Sequence, residues 1–300
     1  MIDLTIILVS YNTRNLTLKC LHSIYEKIPS SIQYEIIIVD NNSNDGSVEA
    51  IKNLYPHVYI VQNDINLGFG AANNIGVHYA RQSKYLLFLN TDTVVISDIF
   101  SPIISYMNSN NDISAVTPFI IYPDYKPQVT YGNFPSILSF VFSFFKLKYL
   151  FKKIWNNKLS YYIAIKPDKI KEVDHIVGVS MFVRRTSFVE SGGFDTDYFL
   201  YFEETDLCNR IRKKGGKIFV YPYVEIIHLL NKSMPSNLFK LTHMERSRML
   251  YFKKNCLNDY SWRITAFISL IKHTIWGIKN LKIFHSLLNY ADSYKYVSRI

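Results

Sequence analysis

The first 130 residues constrain this chain most, because short β-branched and aliphatic runs alternate there with helix-like stretches. Runs at 4–9, 34–39, 58–61, 85–89 and 113–117 predict strands of an α/β fold, a mainly parallel sheet flanked by helices. Each of the first four ends in a polar cluster: Ser10-Tyr11-Asn12, Asp40-Asn41-Asn42-Ser43, Gln62-Asn63-Asp64 and Asn90-Thr91-Asp92. In open α/β sheets ligands bind beyond the carboxyl ends of the strands, so a site is expected where these clusters gather.

Composition sets limits on the rest. At 300 residues with 48% hydrophobic content, the chain can build one large core or two modest domains. Only 19% of residues are charged, which excludes a disordered protein. The N-terminal apolar run is short, carries Asp3 and lacks a basic lead, so it reads as a first strand and not a signal peptide. Cys20, Cys208 and Cys256 are scattered without zinc spacing; they read as reduced and buried, which favours the cytoplasm. Residues 1–130 hold 7 Lys and Arg against 11 Asp and Glu, whereas residues 131–300 hold 27 against 13. A basic second half suits an anionic partner, and equally a solvated basic surface.

Residues 133–165 break the α/β rhythm with Phe, Leu, Tyr and Lys, and the lysines interrupt the apolar runs before they could span a bilayer. Compact α/β character returns over 173–230, with Gly192-Gly193 and Gly215-Gly216 as turns. From about 240 the chain reads as helical: Ile264, Phe267, Ile268, Ile271, Ile275 and Ile278 keep helical spacing among scattered lysines and Arg263.

Five features carry candidate chemistry, several with a plainer structural role beside it. Asp92, just past a buried strand, suits a hard divalent cation or the N-cap of the next helix. The stretch 40–46 superficially resembles a calcium loop but fails it, since Asp45 holds the glycine position and Ile51 the glutamate position. Asp40 remains as a carboxylate suited to a nucleobase N–H. Gly68-Phe69-Gly70 opens a helix whose N-terminal N–H groups can face an anion. Glu203, Glu204 and Asp206 crowd three carboxylates into four positions; they fit a cation, a catalytic base, or the favourable end of a helix dipole. Asp206 and Arg210 are also spaced for an ordinary i,i+4 pair. His228, ending an apolar stretch, is a core histidine unless it meets Asp92.

In order, Val9-Ser10-Tyr11-Asn12, Val39-Asp40-Asn41-Asn42-Ser43, Asn66-Leu67-Gly68-Phe69-Gly70-Ala71-Ala72-Asn73-Asn74, Phe88-Leu89-Asn90-Thr91-Asp92-Thr93, Gly192-Gly193-Phe194-Asp195, Glu203-Glu204-Thr205-Asp206-Leu207 and His228 closely resemble the family-2 glycosyltransferases of GT-A fold, in particular their bacterial rhamnosyltransferase-like branch. The resemblance covers roughly residues 4–233. It implies a GT-A domain over 1–235, with a nucleotide-sugar-binding half (1–130), a basic aromatic insertion (133–171) and an acceptor and catalytic half (172–235). A basic helical extension follows over 236–300.

It further implies inverting transfer of a sugar, rhamnose on the branch analogy, from a nucleotide diphosphate donor to a glycan or lipid-linked glycan in surface polysaccharide synthesis. Mn2+ or Mg2+ is the implied cofactor, held by Asp92 of the metal-binding DxD motif, whose first acid is Asn90 here, and by His228. Donor contacts implied are Ser10, Tyr11, Asn12, Asp40, Asn66, Gly68, Asn73, Asn90 and Thr91. Acceptor contacts are Gly178, Gly193, Phe194 and Asp195. The base falls on Glu204, with Glu203 and Asp206 as alternatives. Peripheral attachment to an anionic membrane surface is expected from the basic, aromatic second half. No nucleic-acid partner is expected, and the oligomeric state is open. The rival readings are a sugar nucleotidylyltransferase, whose glycine-rich activation loop has no counterpart at Ser10–Arg14, and a noncatalytic glycan- or nucleic-acid-binding module.

Overall fold

A computed structural model describes residues 1–144, 160–229, 236–256, 260–280 and 282–300. The chain opens with β1 (Ile2–Ser10), α1 (Arg14–Lys27), β2 (Tyr34–Asp40), α2 (Ser47–Leu54), β3 (Tyr59–Gln62), α3 (Phe69–Tyr79) and β4 (Ser83–Asn90). It continues with β5 (Thr93–Val95), α4 (Phe100–Ser109), β6 (Ile113–Ile121), β7 (Tyr131–Gly132), α5 (Ile137–Phe144), β8 (Lys171–Glu172), β9 (His175–Ile176), β10 (Ser180–Arg184) and α6 (Arg185–Glu190). Then come α7 (Glu203–Lys213), β11 (Lys217–His228), α8 (Asn237–Asn255), α9 (Tyr260–Lys279) and α10 (Ile283–Arg299).

The five strands expected from the apolar runs are β1, β2, β3, β4 and β6. They belong to one nine-stranded sheet ordered β3-β2-β1-β4-β10-β6-β11-β5, with β8 added on β11. β1, β2, β3 and β4 run parallel, β10 runs against β4 and β6, and β11 is parallel to β6. The sheet is therefore mixed and mainly parallel, as the sequence pattern requires. Chain order reverses at β1, which lies between β2 and β4, and such a switch point opens a crevice at the strands' carboxyl ends.

Alternation along the strands builds two cores. Ile6, Leu8, Leu87 and Leu89 face α1 through Cys20, Leu21 and Ile24. Ile7, Leu86 and Phe88 face the opposite layer, where α7 contributes Leu207, Cys208 and Ile211. Each fully buried Leu or Ile is worth roughly 1.5–3 kcal/mol, so this double layer fixes the strand tips rigidly. Cys20 and Cys208 are buried free thiols and Cys256 is half-buried, also free.

The helical region expected from about 240 begins at Asn237, where Ser236 Oγ accepts from Phe239 N at 3.1 Å as an N-cap. α8, α9 and α10 pack a third core from Met249, Leu250, Tyr251, Phe252, Trp262, Ala266, Ile268 and Val297. The middle of the basic aromatic insertion expected over 133–171 lies outside the described residues. Its described flanks include α5, whose Phe140 joins this third core.

Candidate active site

A cavity of about 590 Å³ opens at the carboxyl ends of β1, β2 and β4. Asn90, Thr91 and Asp92 line it from the tip of β4, Tyr11 and Thr13 from beyond β1, and Asn41 from beyond β2. Glu203 and Glu204 line another wall, and His228 closes the set. The tip of the fourth strand, the later acid cluster and the downstream imidazole thus share one space.

Strand register explains how His228 arrives there. β5 pairs antiparallel with the end of β11, setting His228 opposite Thr93, and Leu229 N–H donates to the Asp92 carbonyl at 2.9 Å. His228 Nε2 then lies 3.2 Å from Asp92 Oδ1, with both side chains buried. Gln128 assigns the imidazole its tautomer. Its amide Nε2 donates to the His228 carbonyl at 3.3 Å, which turns Oε1 toward the ring to accept from Nδ1–H at 2.5 Å. In the neutral ring, Nε2 presents a lone pair to a carboxylate oxygen, and two electron-rich atoms that close need a proton or a cation between them. One carboxylate, one oriented imidazole and open space beside them fit a cation that keeps water and phosphate ligands. Among the described residues no cluster of three or more His, Cys, Asp or Glu converges to form an all-protein cage. Asp92 is not a helix cap: Asp98 Oδ1 fills that role for α4, accepting from Phe100 N and Ser101 N at 2.9 Å each.

The acid pair is aimed by a strained joint. Tyr201 and Phe202 are consecutive left-handed residues, φ +70° and +68°, a conformation costing roughly 1–3 kcal/mol for a bulky side chain. Phe202 is held there by burial against Tyr161, at 5.4 Å between ring centroids, and Tyr251, at 5.5 Å. α7 therefore starts abruptly, with Glu203 and Glu204 in its first turn. Burial pushes both carboxyls up. Glu203 goes well above its ordinary value, with the neighbouring Glu204 charge adding to the rise. Glu204 goes to about 7, with backbone hydrogen bonds of Glu204, Thr205 and Phe202 opposing the rise. Glu203 Oε2 is buried without a partner. A buried carboxyl titrating near neutrality is matched to proton transfer at physiological pH.

Asn66 and Gly68 line the cavity at the entrance to α3. Asn66 Oδ1 accepts from Gly68 N at 2.9 Å. Gly68, at φ +84°, has no room for a side chain, since a Cβ there would lie 2.1 Å from the Phe199 carbonyl oxygen. Gly178, an expected acceptor contact, lines the cavity beside Glu204.

Other expected contacts sit elsewhere. Ser10 is buried in a hydroxyl cluster with Thr13 and Thr17, and Asn12 braces the 43–44 turn by accepting from Asn44 N at 2.9 Å. Asp40 is buried behind the lining, with Oδ2 accepting from Ser43 N at 2.8 Å and Oδ1 unpartnered. Asn73 Nδ2 donates to Phe69 O at 3.0 Å and its Oδ1 is also unpartnered.

Asp206, one of the three base candidates, is withdrawn from the cavity. Its carboxylate accepts from Arg210 Nε at 2.7 Å and Asn255 Nδ2 at 3.0 Å, and it lies about 200° round α7 from Glu204. The expected acceptor contacts Gly193, Phe194 and Asp195 likewise form a joint, not a wall. Arg210 Nη1 donates to the Gly193 carbonyl at 2.7 Å, and Phe194 N donates to Asn74 Oδ1 at 2.9 Å. The Phe194 ring packs on Phe88 at 4.9 Å, and Asp195 pairs with Lys254 at 2.7 Å.

Sequence reading missed Gln128 and a lip made of Phe199, Leu200, Phe239, Lys240 and Met244. Gln128 sits in a loop without a motif, and its importance comes only from a partner 100 positions away. The lip residues come from two segments that only the tertiary fold brings together.

The model of "Glycosyl transferase family 2" matches residues 5–189. The "Rhamnosyltransferase WbbL" of Escherichia coli K12 is 26% identical over 270 residues, covering 85% of this chain and 94% of that protein. A Mycobacterium tuberculosis H37Rv protein, "N-acetylglucosaminyl-diphospho-decaprenol L-rhamnosyltransferase", is 24% identical over 64% of this chain and 66% of its own length. Among solved structures, that of GalNAc-T7 with UDP, GalNAc and Mn2+ superposes with a TM-score of 0.62 at 16% identity, covering 85% of this chain but only 49% of the other. That likeness shows the fold, which is GT-A. The family match spans more than half the chain and the first four strands with their polar tips. This chain belongs to glycosyl transferase family 2.

Proposed function

We propose that this glycosyltransferase moves a sugar, rhamnose on the pattern of its relatives, from a nucleotide diphosphate donor to a lipid-linked glycan acceptor with inversion at the anomeric carbon. The observation that carries the reading is the facing of Asp92 and His228, 3.2 Å apart, in the same cavity as the raised Glu203–Glu204 pair. One end of the cavity suits a diphosphate and the other a hydroxyl that must lose its proton.

Asn41, Asn66, Asn90 and Thr91 offer hydrogen bonds to the donor, with the unpartnered Asp40 oxygen behind them as a reserve acceptor for a base N–H. Asp92 and His228 are the residues that would hold Mn2+ or Mg2+. The chemistry supplied there is neutralisation of charge on the departing diphosphate, worth several kcal/mol at the transition state. Glu204 accepts the proton of the acceptor hydroxyl as its oxygen bonds the anomeric carbon and the bond to diphosphate breaks. Burial raises both carboxyls and they titrate as a pair, one holding a proton while the other serves as base; the resemblance puts the base at Glu204. Lipid linkage of the acceptor is drawn from the mycobacterial relative's name and from the apolar lip of Phe199, Leu200, Phe239 and Met244.

Thermal-shift screening of nucleotide sugars with and without manganese identifies the donor, and the anomeric configuration of the product by NMR tests inversion. Asp92→Asn should abolish most manganese-dependent turnover while the protein stays folded. Unchanged kinetics at saturating manganese would remove Asp92 from the metal site, and a retained anomeric configuration would remove single displacement.

A further inference from the structure

Among the described residues, the C-terminal helices leave an apolar face of α9 uncovered. On α9, Ile264, Phe267, Ile275 and Ile278 are 41%, 62%, 45% and 56% exposed, and Ile271 between them is half-buried. At about 100° per residue these five positions fall within an arc of roughly 80°. The opposite face is the packed one, with Trp262, Thr265, Ala266, Ser269, His273 and Gly277 buried. The sequence pattern left two readings open, attachment to a membrane surface and a stripe packed into its own subdomain. Of its members only Ile268 is buried.

Charge decides what covers this stripe. Residues 260–282 contain Arg263, Lys272, Lys279 and Lys282 and no acidic residue. Lys272 turns inward to Glu245 at 2.8 Å, while Arg263, Lys279 and Lys282 stand exposed beside the stripe. A second copy of this chain would bring the same cations together, whereas an anionic surface would attract them. An apolar strip bordered by Lys and Arg is the pattern of a helix lying in the plane of a bilayer interface. Among the described residues no helix is long and apolar enough to cross one.

We infer that α9 docks flat on an anionic lipid surface, with Phe267 and the four isoleucines inserted and Arg263, Lys279 and Lys282 at the headgroups. The inference goes beyond the transfer reaction and stands on the surface alone. α9 packs on α8, whose Phe239, Lys240 and Met244 form the cavity lip, so a docked α9 would tether that lip at the bilayer. That consequence rests on the proposed lipid-linked acceptor.

The test is flotation of the full chain with phosphatidylcholine vesicles, with and without phosphatidylglycerol. The wild type should float with the anionic vesicles and release them at high salt. Phe267→Asp with Ile275→Asp should cut binding by about tenfold or more, with circular dichroism and thermal melting unchanged. Phe267→Trp should show a blue-shifted emission on adding the same vesicles. Donor hydrolysis by the double variant should match the wild type, which separates failure of docking from failure of the proposed reaction. A wild type that stays at the bottom of the gradient overturns the inference. So does a double variant that floats normally, or a concentration-dependent dimer dissolved by the double variant without any flotation.

Discussion

Replacing Glu204 with Gln separates stability from activity, with opposite signs. Burial raises the Glu204 carboxyl from its ordinary 4.5 to about 7. Between those values the folded chain holds a proton that the unfolded chain has released. The unfolded state binds fewer protons, so the Glu204 contribution to stability falls as pH rises through that window and levels off above about 7. Integrated over the window, the cost at pH 8 is at most about 3 kcal/mol, at 1.36 kcal/mol per unit of pKa. A Gln side chain has nearly the same shape and nothing to ionise. Glu204→Gln should therefore be more stable than wild type at about pH 8, by up to that amount, and equal to it at about pH 4–5. Turnover should drop by about 10²–10⁴-fold, the range for losing a positioned base. Urea denaturation at the two pH values measures the first effect, and initial rates at saturating donor measure the second. A variant no more stable at the higher pH would refute the buried, raised carboxyl, and near-normal turnover would move the base to Glu203.

The remaining predictions address the pH profile, the metal site and the frame. Wild-type turnover should climb with pH and reach half its maximum near pH 7, because the base must shed its proton; a profile flat from about pH 5 to 8 would count against a carboxyl base. Gln128→Leu frees the His228 ring and should weaken apparent manganese affinity by about 10–100-fold, with turnover at saturating manganese little changed. Unaltered affinity in a manganese titration would mean that Gln128 does not orient the ring. Asp206→Asn should lower stability by about 1–3 kcal/mol through its bonds to Arg210 and Asn255 while sparing turnover per folded molecule. Lost turnover in fully folded protein would return Asp206 to the site. Gly68→Ala drives a Cβ into the Phe199 carbonyl and should cost about 1–3 kcal/mol or more, together with donor affinity; a neutral substitution would mean that the 199 loop moves freely.

The sheet was legible because each expected strand carries an apolar run; β1, β2, β4 and β6 are buried on both faces, and the edge strand β3 is not. The meeting of Asp92, Glu203, Glu204 and His228 was legible only through motif order, since no local property of His228 distinguishes it from a core histidine. The expected residues that lie outside the cavity lining share one feature. Asp206, Gly193, Phe194 and Asp195 lie in the same short motifs as cavity residues, and whether such a residue faces the cavity depends on helix phase and turn geometry. Arg210 decides several of these positions at once: it ties Asp206 to the carbonyls of Ser191 and Gly193 and so turns a nominal acceptor loop into a brace. Sequence spacing showed the Asp206–Arg210 pair as an option but not which option the fold would take.

The family match ends at residue 189, before the acid pair and the imidazole, and the structure shows what holds that later half in place. The loop leading into α7 is anchored by the C-terminal helices: Ser247 Oγ donates to the Leu200 carbonyl at 2.8 Å and Tyr296 Oη to the Asp197 carbonyl at 2.9 Å. Arg248, buried and paired with Glu245, lays its guanidinium 5.8 Å from the centre of the Phe202 ring. Two left-handed residues in a row would relax if those contacts were lost, and with them the direction in which Glu203 and Glu204 point. The strand tips within the family match carry Asn41, Asn90, Thr91 and Asp92, whereas His228 comes from β11 beyond it. The acid pair is positioned by helices the family model does not reach, so its direction depends on contacts made by the last 65 residues of the chain.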